Sequence, residues 1–240
     1  MSGPAMPLER RPLARRLLAA VATPQQTCAA LRGRETAMDW LLPMVVASVV
    51  GLAAYGLTAA LNAEQTAAAA RQAIEQLPAD KKAGAEQAYR MFTWFGWLMV
   101  PIGLFFSLVT VAWVCLLLGR LVFRAEVTYR QMLVAKAHAS LVVVPEWIAR
   151  ALLVMVGVNP DRCASPGAWL TSESLTHFPG RVLHAINVFD LWQVGVLTLG
   201  VAAMARLPVR RVAIALTLLW AAWVLYAAAA GSAAPQAPGS

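Results

Sequence analysis

Three charged side chains lie within the third long apolar segment of the sequence. These are Lys136, Glu146 and Arg150, and at about 100° per residue they share roughly a third of a helix circumference with Ser140. Glu146 and Arg150 are four residues apart, in the favoured order for an ion pair on a helix. Charges at membrane depth are costly and usually pair or face a wet cavity. The pattern predicts a polar seam of Lys136, Ser140, Glu146 and Arg150.

The sequence allows three interpretations of this seam. It could pass an ion, a proton or a lipid headgroup, or it could lock the third span against its neighbours. In the second case Lys136 would snorkel to the cytoplasmic face. In the third interpretation Pro145 breaks the span, and the Glu146 and Arg150 pair sits in an interfacial or re-entrant half-helix. Asn187 and Asp190, at the start of the next apolar segment, fit capping and interhelical hydrogen bonds better than a site.

Residue patterns typical of catalysis or metal binding do not stand out in this sequence. The three histidines lack metal-ligand spacing, and the three cysteines form no CxxC pair. The sequence contains no HExxH, GxSxG or GxxxxGK[ST] motif, and no GxGxxG ahead of a helix. We therefore predict a protein that is not an enzyme and has no catalytic residue, metal site or cofactor.

The composition places these residues in a membrane. Of the 240 residues 60% are apolar and 13% are charged, against roughly 45–50% and about 25% in a soluble domain. Charges are missing between Asp39 and Glu64, between Arg90 and Arg120, and from Val212 onward. Each gap exceeds the ~20 residues that a helix needs to cross the hydrocarbon. These features exclude a soluble enzyme, a disordered protein and a secreted disulfide scaffold.

Five apolar segments are the predicted spans, at about 40–61, 92–118, 131–158, 186–205 and 212–230. Because their apolar runs are continuous rather than short and alternating, we predict an all-α, polytopic transmembrane helical bundle. The predicted organisation is a basic cytoplasmic segment (1–37), a five-span membrane domain (38–230) and a disordered tail (231–240).

Two stretches outside the spans have helical signals. Thr23, Pro24 and Gln26 match an N-cap, a first helical residue and a capping-box partner. The short amphipathic helix that they would open could lie on an anionic membrane surface or be a plain juxtamembrane helix. The Ala-, Gln- and Glu-rich stretch 62–90 predicts two extramembrane helices separated near Pro78.

The distribution of Arg and Lys predicts the orientation. Six precede the first span and three follow each of the second and fourth spans, whereas the opposite side has six in all. The N-terminus is therefore predicted to be cytoplasmic and the C-terminus outside. This distribution explains the net charge of +8 without a nucleic-acid partner. Anionic headgroups or an acidic partner surface are the predicted ligands of six loop arginines: Arg120, Arg124, Arg130, Arg206, Arg210 and Arg211.

The order of these features resembles the bacterial members of the YIP family, whose eukaryotic relatives were named for interaction with Ypt/Rab GTPases. The resemblance covers most of residues 20–230 and rests on four stretches rather than on one sharp motif. They are ATPQQTCAALRGRE before the first span, LLGRLVFRAEVTYRQMLVAKAHASLVVVPEW (117–147), LHAINVFDLWQVGVLTLGVAAMARLP (183–208), and the closing helix with Trp220, Trp223 and Tyr226.

The resemblance implies a five-span protein of the bacterial inner membrane with a cytoplasmic N-terminus. It also implies a non-enzymatic, trafficking-like role in organising the membrane or binding a protein partner, with homo-oligomers possible. The family brings no catalytic residues. Glu146 and Arg150 depart from it, because mostly apolar residues are expected at these positions. A small transporter, channel or lipid-moving protein that uses the polar seam is the alternative.

Overall fold

The computed structural model of the protein describes residues 13–230, in which we find helices and connecting turns but no strand. The α-helices are α1 (Leu13–Ala22), α2 (Pro24–Leu31), α3 (Met38–Leu61), α4 (Ala63–Glu75), α5 (Ala79–Leu117), α6 (Tyr129–Ser140), α7 (Val143–Met155), α8 (Ser172–Thr176), α9 (Phe178–Ala185), α10 (Val188–Ala205) and α11 (Val209–Ala230). A π-helix (Leu118–Val122) extends α5, and two 3₁₀ helices (Pro160–Cys163 and Pro166–Trp169) precede α8. The predicted disordered tail, 231–240, lies outside the described residues.

Five helical segments within the described range are long and apolar enough to cross a membrane. They are α3, α5 with its π-helical extension, α6 with α7, α10 and α11. The all-α class and the five spans predicted from the sequence are therefore confirmed.

Helix α6 lies at the centre of the bundle. Nine consecutive residues from Val134 to Val142 are buried, so this stretch is covered on every side. Helices α3, α5 and α10 pack around it, and α11 packs against α10 and α9. A helix that is enclosed all round must satisfy its polar side chains inside the protein. This position explains why the polar residues of the third span find partners on neighbouring helices.

The third span is interrupted near its middle. Helix α6 ends at Ser140, α7 begins at Val143, and Pro145 is the third residue of α7. Proline has no N–H to donate to the carbonyl four residues earlier, and its ring clashes with that carbonyl. The carbonyl four residues before Pro145 is that of Leu141. It accepts the N–H of Val144 at 3.1 Å, which makes a tighter turn. A break near Pro145, one of the three alternatives that the sequence left open, is therefore present between Ser140 and Val143, and by length and composition α6 and α7 together form one candidate span.

Glycines allow the close approach of three spans. A Cβ on Gly51 of α3 would overlap the indole ring of Trp147, and one on Gly56 would lie 2.5 Å from the ring of Trp97 in α5. On the facing helix α5, Gly96 makes room for the Tyr55 hydroxyl. The rings of Tyr55 and Trp97 pack edge to face with their centroids 5.3 Å apart. Small residues at an interface let neighbouring helices approach closely in membranes.

The N-terminal helix α2 is part of the bundle. It packs against α10, where the fully buried Cys28 lies beside Gly200. Arg32, which follows α2, donates from Nη1 to Ala203 O near the end of α10 at 2.9 Å. The helix is thus held by protein contacts along one side, which neither interpretation of the sequence included.

The start of α2 is only partly as predicted. Pro24 is its first residue, but the Thr23 hydroxyl donates to Ala19 O of α1 at 3.0 Å and does not cap α2. The predicted capping box is therefore wrong, because α1 lies directly before α2 and supplies an acceptor. A complete capping box forms instead at the start of α6, between Thr128 and Gln131.

The two helices predicted between residues 62 and 90, with a break near Pro78, are present. Helix α4 follows α3 after Asn62 alone, and α5 begins directly after Pro78 and continues into the second span. Buried residues are absent from α4. Helix α4 packs against α5, so the pair forms a helical hairpin.

Candidate functional site

A network of polar side chains joins the third and fourth spans, and Glu146 is at its centre. Only 8% of Glu146 is exposed, and its Oε1 accepts from Arg150 Nε at 3.0 Å and from Asn187 Nδ2 at 2.8 Å. Arg150 also pairs through Nη1 with Asp161 in the loop after α7. The ion pair between Glu146 and Arg150 predicted from their spacing is confirmed. The buried carboxylate thus has two donors, which offset the cost of removing it from water.

Asn187 has two roles at this point. Its Oδ1 accepts the N–H of Phe189 at 2.8 Å and so caps α10. Its Nδ2 makes the bond to Glu146. The predicted capping and interhelical roles of this residue are therefore both present.

Lys136 belongs to the same region but has a different partner. It is 3% exposed, and its Nζ donates to Gln193 Oε1 of α10 at 3.1 Å. The expected snorkelling of Lys136 is wrong, because α3, α5 and α10 enclose this part of α6. Ser140 donates to the backbone Lys136 O at 3.0 Å within its own helix and makes no hydrogen bond to Glu146 or Arg150.

The fourth span therefore connects the seam residues, which do not share one continuous helix face. Asn187, Asp190 and Gln193 follow one another at intervals of three residues. Asn187 reaches α7, Gln193 reaches α6, and Asp190 interacts electrostatically with Glu146, Lys136 and Arg150.

Sequence reasoning missed Gln193 and Asp161. The three-residue spacing of polar side chains at the start of an apolar span was the available signal for Gln193.

A second polar cluster lies between α2, α3 and α6. A cavity of about 30 Å³ is lined there by Thr27, Asp39 and His138 together with apolar side chains. Asp39 accepts the N–H and the hydroxyl of Thr36, and His138 Nδ1 donates to Val134 O at 2.8 Å. A space of this volume with polar walls suits one buried water. No sequence pattern links Asp39 and His138, which are 99 residues apart.

All six arginines of the predicted contact surface are exposed: Arg120, Arg124, Arg130, Arg206, Arg210 and Arg211. Arg120 Nε donates to Val127 O at 3.1 Å, and Arg130 Nη1 donates to Glu35 O at 3.2 Å. The bond from Arg32 to Ala203 ties the N-terminal segment to the end of α10 as well. The two arginine loops and residues 32–35 therefore meet at one end of the bundle, which we call the basic end.

Two cysteines outside the spans have perturbed acidity. Burial raises the pKa of the Cys28 thiol to about 12, since α2 and α10 remove it from water. Burial also raises the pKa of Cys163, in the loop after α7. A raised pKa lowers the thiolate fraction and so the reactivity of a thiol. Within residues 13–230, no three His, Cys, Asp or Glu side chains converge as metal ligands.

No family model matches this sequence, and no curated protein or solved structure matches it significantly. The resemblance to the YIP family therefore stays a prediction, and the geometry of the network and of the basic end carries the functional argument.

Proposed function

We propose that the chain is a non-enzymatic, multi-pass protein of the bacterial inner membrane that organises lipid or protein partners at its basic end. One observation carries the proposal: the arginines of two separate loops are exposed together at one end of the bundle. Clustered cations next to membrane spans attract anionic headgroups and acidic protein surfaces. The YIP-like, trafficking-like role inferred from the sequence belongs to this proposal.

The polar network supports a structural role for the charges inside the spans. Glu146 is held by Arg150 and Asn187, and Lys136 is held by Gln193. Partners on two different spans fix the position of each helix relative to the other. This arrangement corresponds to the lock that was one of the three interpretations of the sequence.

The proposal is tested by purifying the protein from native membranes in mild detergent after crosslinking. One variant changes Arg124, Arg206, Arg210 and Arg211 to Gln. The matched control makes the same change at four cations of the α4–α5 hairpin: Arg71, Lys81, Lys82 and Arg90. We expect wild type and control to retain the same anionic lipids or protein partner and the first variant to lose them. Equal retention by both variants, or no retention by wild type, would contradict the proposal.

A second function, movement of a solute or a lipid, is favoured by a groove next to the network. The groove has a volume of about 290 Å³, lies between α3 and α7, and is lined by Tyr55, Thr58, Asn62 and Arg150 among apolar residues. A polar group bound there would lie beside the Arg150 and Glu146 pair.

Reconstituted proteoliposomes test this second function by solute flux and lipid scrambling. Glu146→Gln should abolish the movement while the protein keeps its fold, and Glu75→Gln in the exposed helix α4 serves as the control. If the wild-type protein moves neither solutes nor lipids, this function is wrong.

A further inference from the structure

Two residues of the basic end have an unusual backbone conformation. The φ angles of Arg124 and Arg206 are 52° and 54°, and they are the only positive values among non-glycine residues in the range 13–230. Arg206 is the C-cap residue that directly follows α10. The N–H of Leu207 donates to Ala202 O at 3.0 Å and closes the turn at the end of the helix. Glycine is the usual residue in such a turn, because a β-carbon disfavours the left-handed conformation. Arginine at both positions therefore destabilises the local backbone.

Contacts within the protein do not explain why arginine occupies these two strained positions. Both side chains are exposed, and neither makes a hydrogen bond or an ion pair with another described residue. By contrast, Arg120 and Arg130 of the same surface donate to backbone carbonyls. Strain that no internal contact offsets points to a role outside the chain.

The position of both arginines favours a lipid over a protein as their binding partner. Leu121 and Val122 lie three and two residues before Arg124 and are 72% and 62% exposed, so this end of the second span offers apolar side chains to a surrounding bilayer. Arg206 is the first residue after α10. Both residues thus follow the ends of candidate spans, which is where a bilayer places its phosphate groups.

We infer that Arg124 and Arg206 bind the phosphates of anionic phospholipids, and that their left-handed backbone is tolerated for this contact. The inference rests on the proposed function of the basic end and names its partner as lipid. Each guanidinium presents paired N–H donors that match the oxygens of a phosphate.

The test uses the full-length protein with Arg124→Gly and Arg206→Gly together. Binding of phosphatidylglycerol is measured by native mass spectrometry, and the thermal unfolding midpoint is measured in neutral detergent. We expect affinity to fall roughly fivefold per arginine. We also expect the unfolding midpoint to rise, because glycine relieves the backbone at both sites.

Two control variants separate charge from strain. Arg210→Gly with Arg211→Gly removes equal charge from the first turn of α11, so the unfolding midpoint should fall rather than rise. Arg124→Lys with Arg206→Lys keeps charge and strain, so the midpoint should stay near that of wild type and most binding should remain.

Three results would overturn the inference: an unchanged midpoint for the glycine variant, unchanged binding of phosphatidylglycerol, or binding of an acidic protein alone. If the glycine variant keeps its binding while the four-Gln variant loses it, this inference fails and the proposed function stands. If wild type binds neither lipid nor protein at this end, both fail.

Discussion

Asn187 donates from Nδ2 to Glu146 Oε1 at 2.8 Å, and this bond ties the start of the fourth span to the second half of the third. The Oδ1 atom of the same amide accepts the N–H of Phe189 and so caps α10. One side chain thus sets where a span begins and stabilises a buried carboxylate on its neighbour. The stability of the two spans should therefore be coupled through this residue.

Replacing Asn187 should reveal both roles. Asn187→Ala removes the cap and one donor to Glu146, so we expect the free energy of unfolding to fall by about 2–3 kcal/mol. Asn187→Ser keeps a capping oxygen but is too short to reach Glu146, so about half of that loss is expected. Unfolding in mixed micelles measures both variants. Equal losses for Ala and Ser would contradict the capping role.

The ion pair of Glu146 and Arg150 should be strongly coupled. In a double-mutant cycle with Glu146→Gln and Arg150→Met we expect a coupling energy of about 1–3 kcal/mol, because the pair is largely shielded from water. The matched control is Arg71 with Glu75, four residues apart on the exposed helix α4, where the coupling should stay below about 0.5 kcal/mol. Similar couplings at the two sites would disprove a buried lock.

Gly51 should tolerate no side chain. Gly51→Ala places a methyl group in the ring of Trp147, so we expect a loss of about 1–3 kcal/mol in the free energy of unfolding. A Cβ at Gly103 of α5 meets no atom within 4 Å, so Gly103→Ala should be neutral or stabilising by up to about 1 kcal/mol. Thermal unfolding in detergent compares the two. A tolerated Gly51→Ala would mean that α3 and α7 are not in close contact.

The thiol of Cys28 reports whether α2 is docked. We expect Cys163 to react with maleimide in the native protein and Cys28 to react only after unfolding, because Cys28 is fully buried and its pKa is about 12. Arg32→Ala removes the bond to Ala203 and should raise labelling of Cys28 several-fold, whereas Arg34→Ala should not. Mass spectrometry measures both rates. Rapid labelling of Cys28 in the wild-type protein would contradict the docking of α2.

The same thiol gives the protein a pH dependence. Cys28 stays neutral in the folded protein at a pH where the unfolded chain, with a pKa near 9.0, already ionises. Folding stability should therefore fall as the pH rises above 9.0. Cys28→Ala should make this fall in stability with pH less steep, and an unchanged slope would argue against burial of the thiol.

Much of the architecture could be predicted from local sequence. Gaps between charges located three of the five spans, and long apolar segments located the other two. The chemistry of proline made a break near Pro145 one of three alternatives, and the structure contains that break. The spacing of Glu146 and Arg150 predicted their pair. The capping box at Thr23 could not be judged locally, because the competing acceptor, Ala19 O, belongs to another helix.

The helical class, the number of spans and the place of Lys136, Glu146 and Arg150 in the third span could be read from the sequence. These properties follow from the energy of transferring each segment into hydrocarbon, which depends on the residues of that segment alone. The partners of these side chains depend on how the helices pack: Lys136 pairs with Gln193 and Glu146 with Asn187, which are 57 and 41 residues apart along the chain. Such pairs depend on how two spans pack, and the periodicity of one helix does not determine that packing.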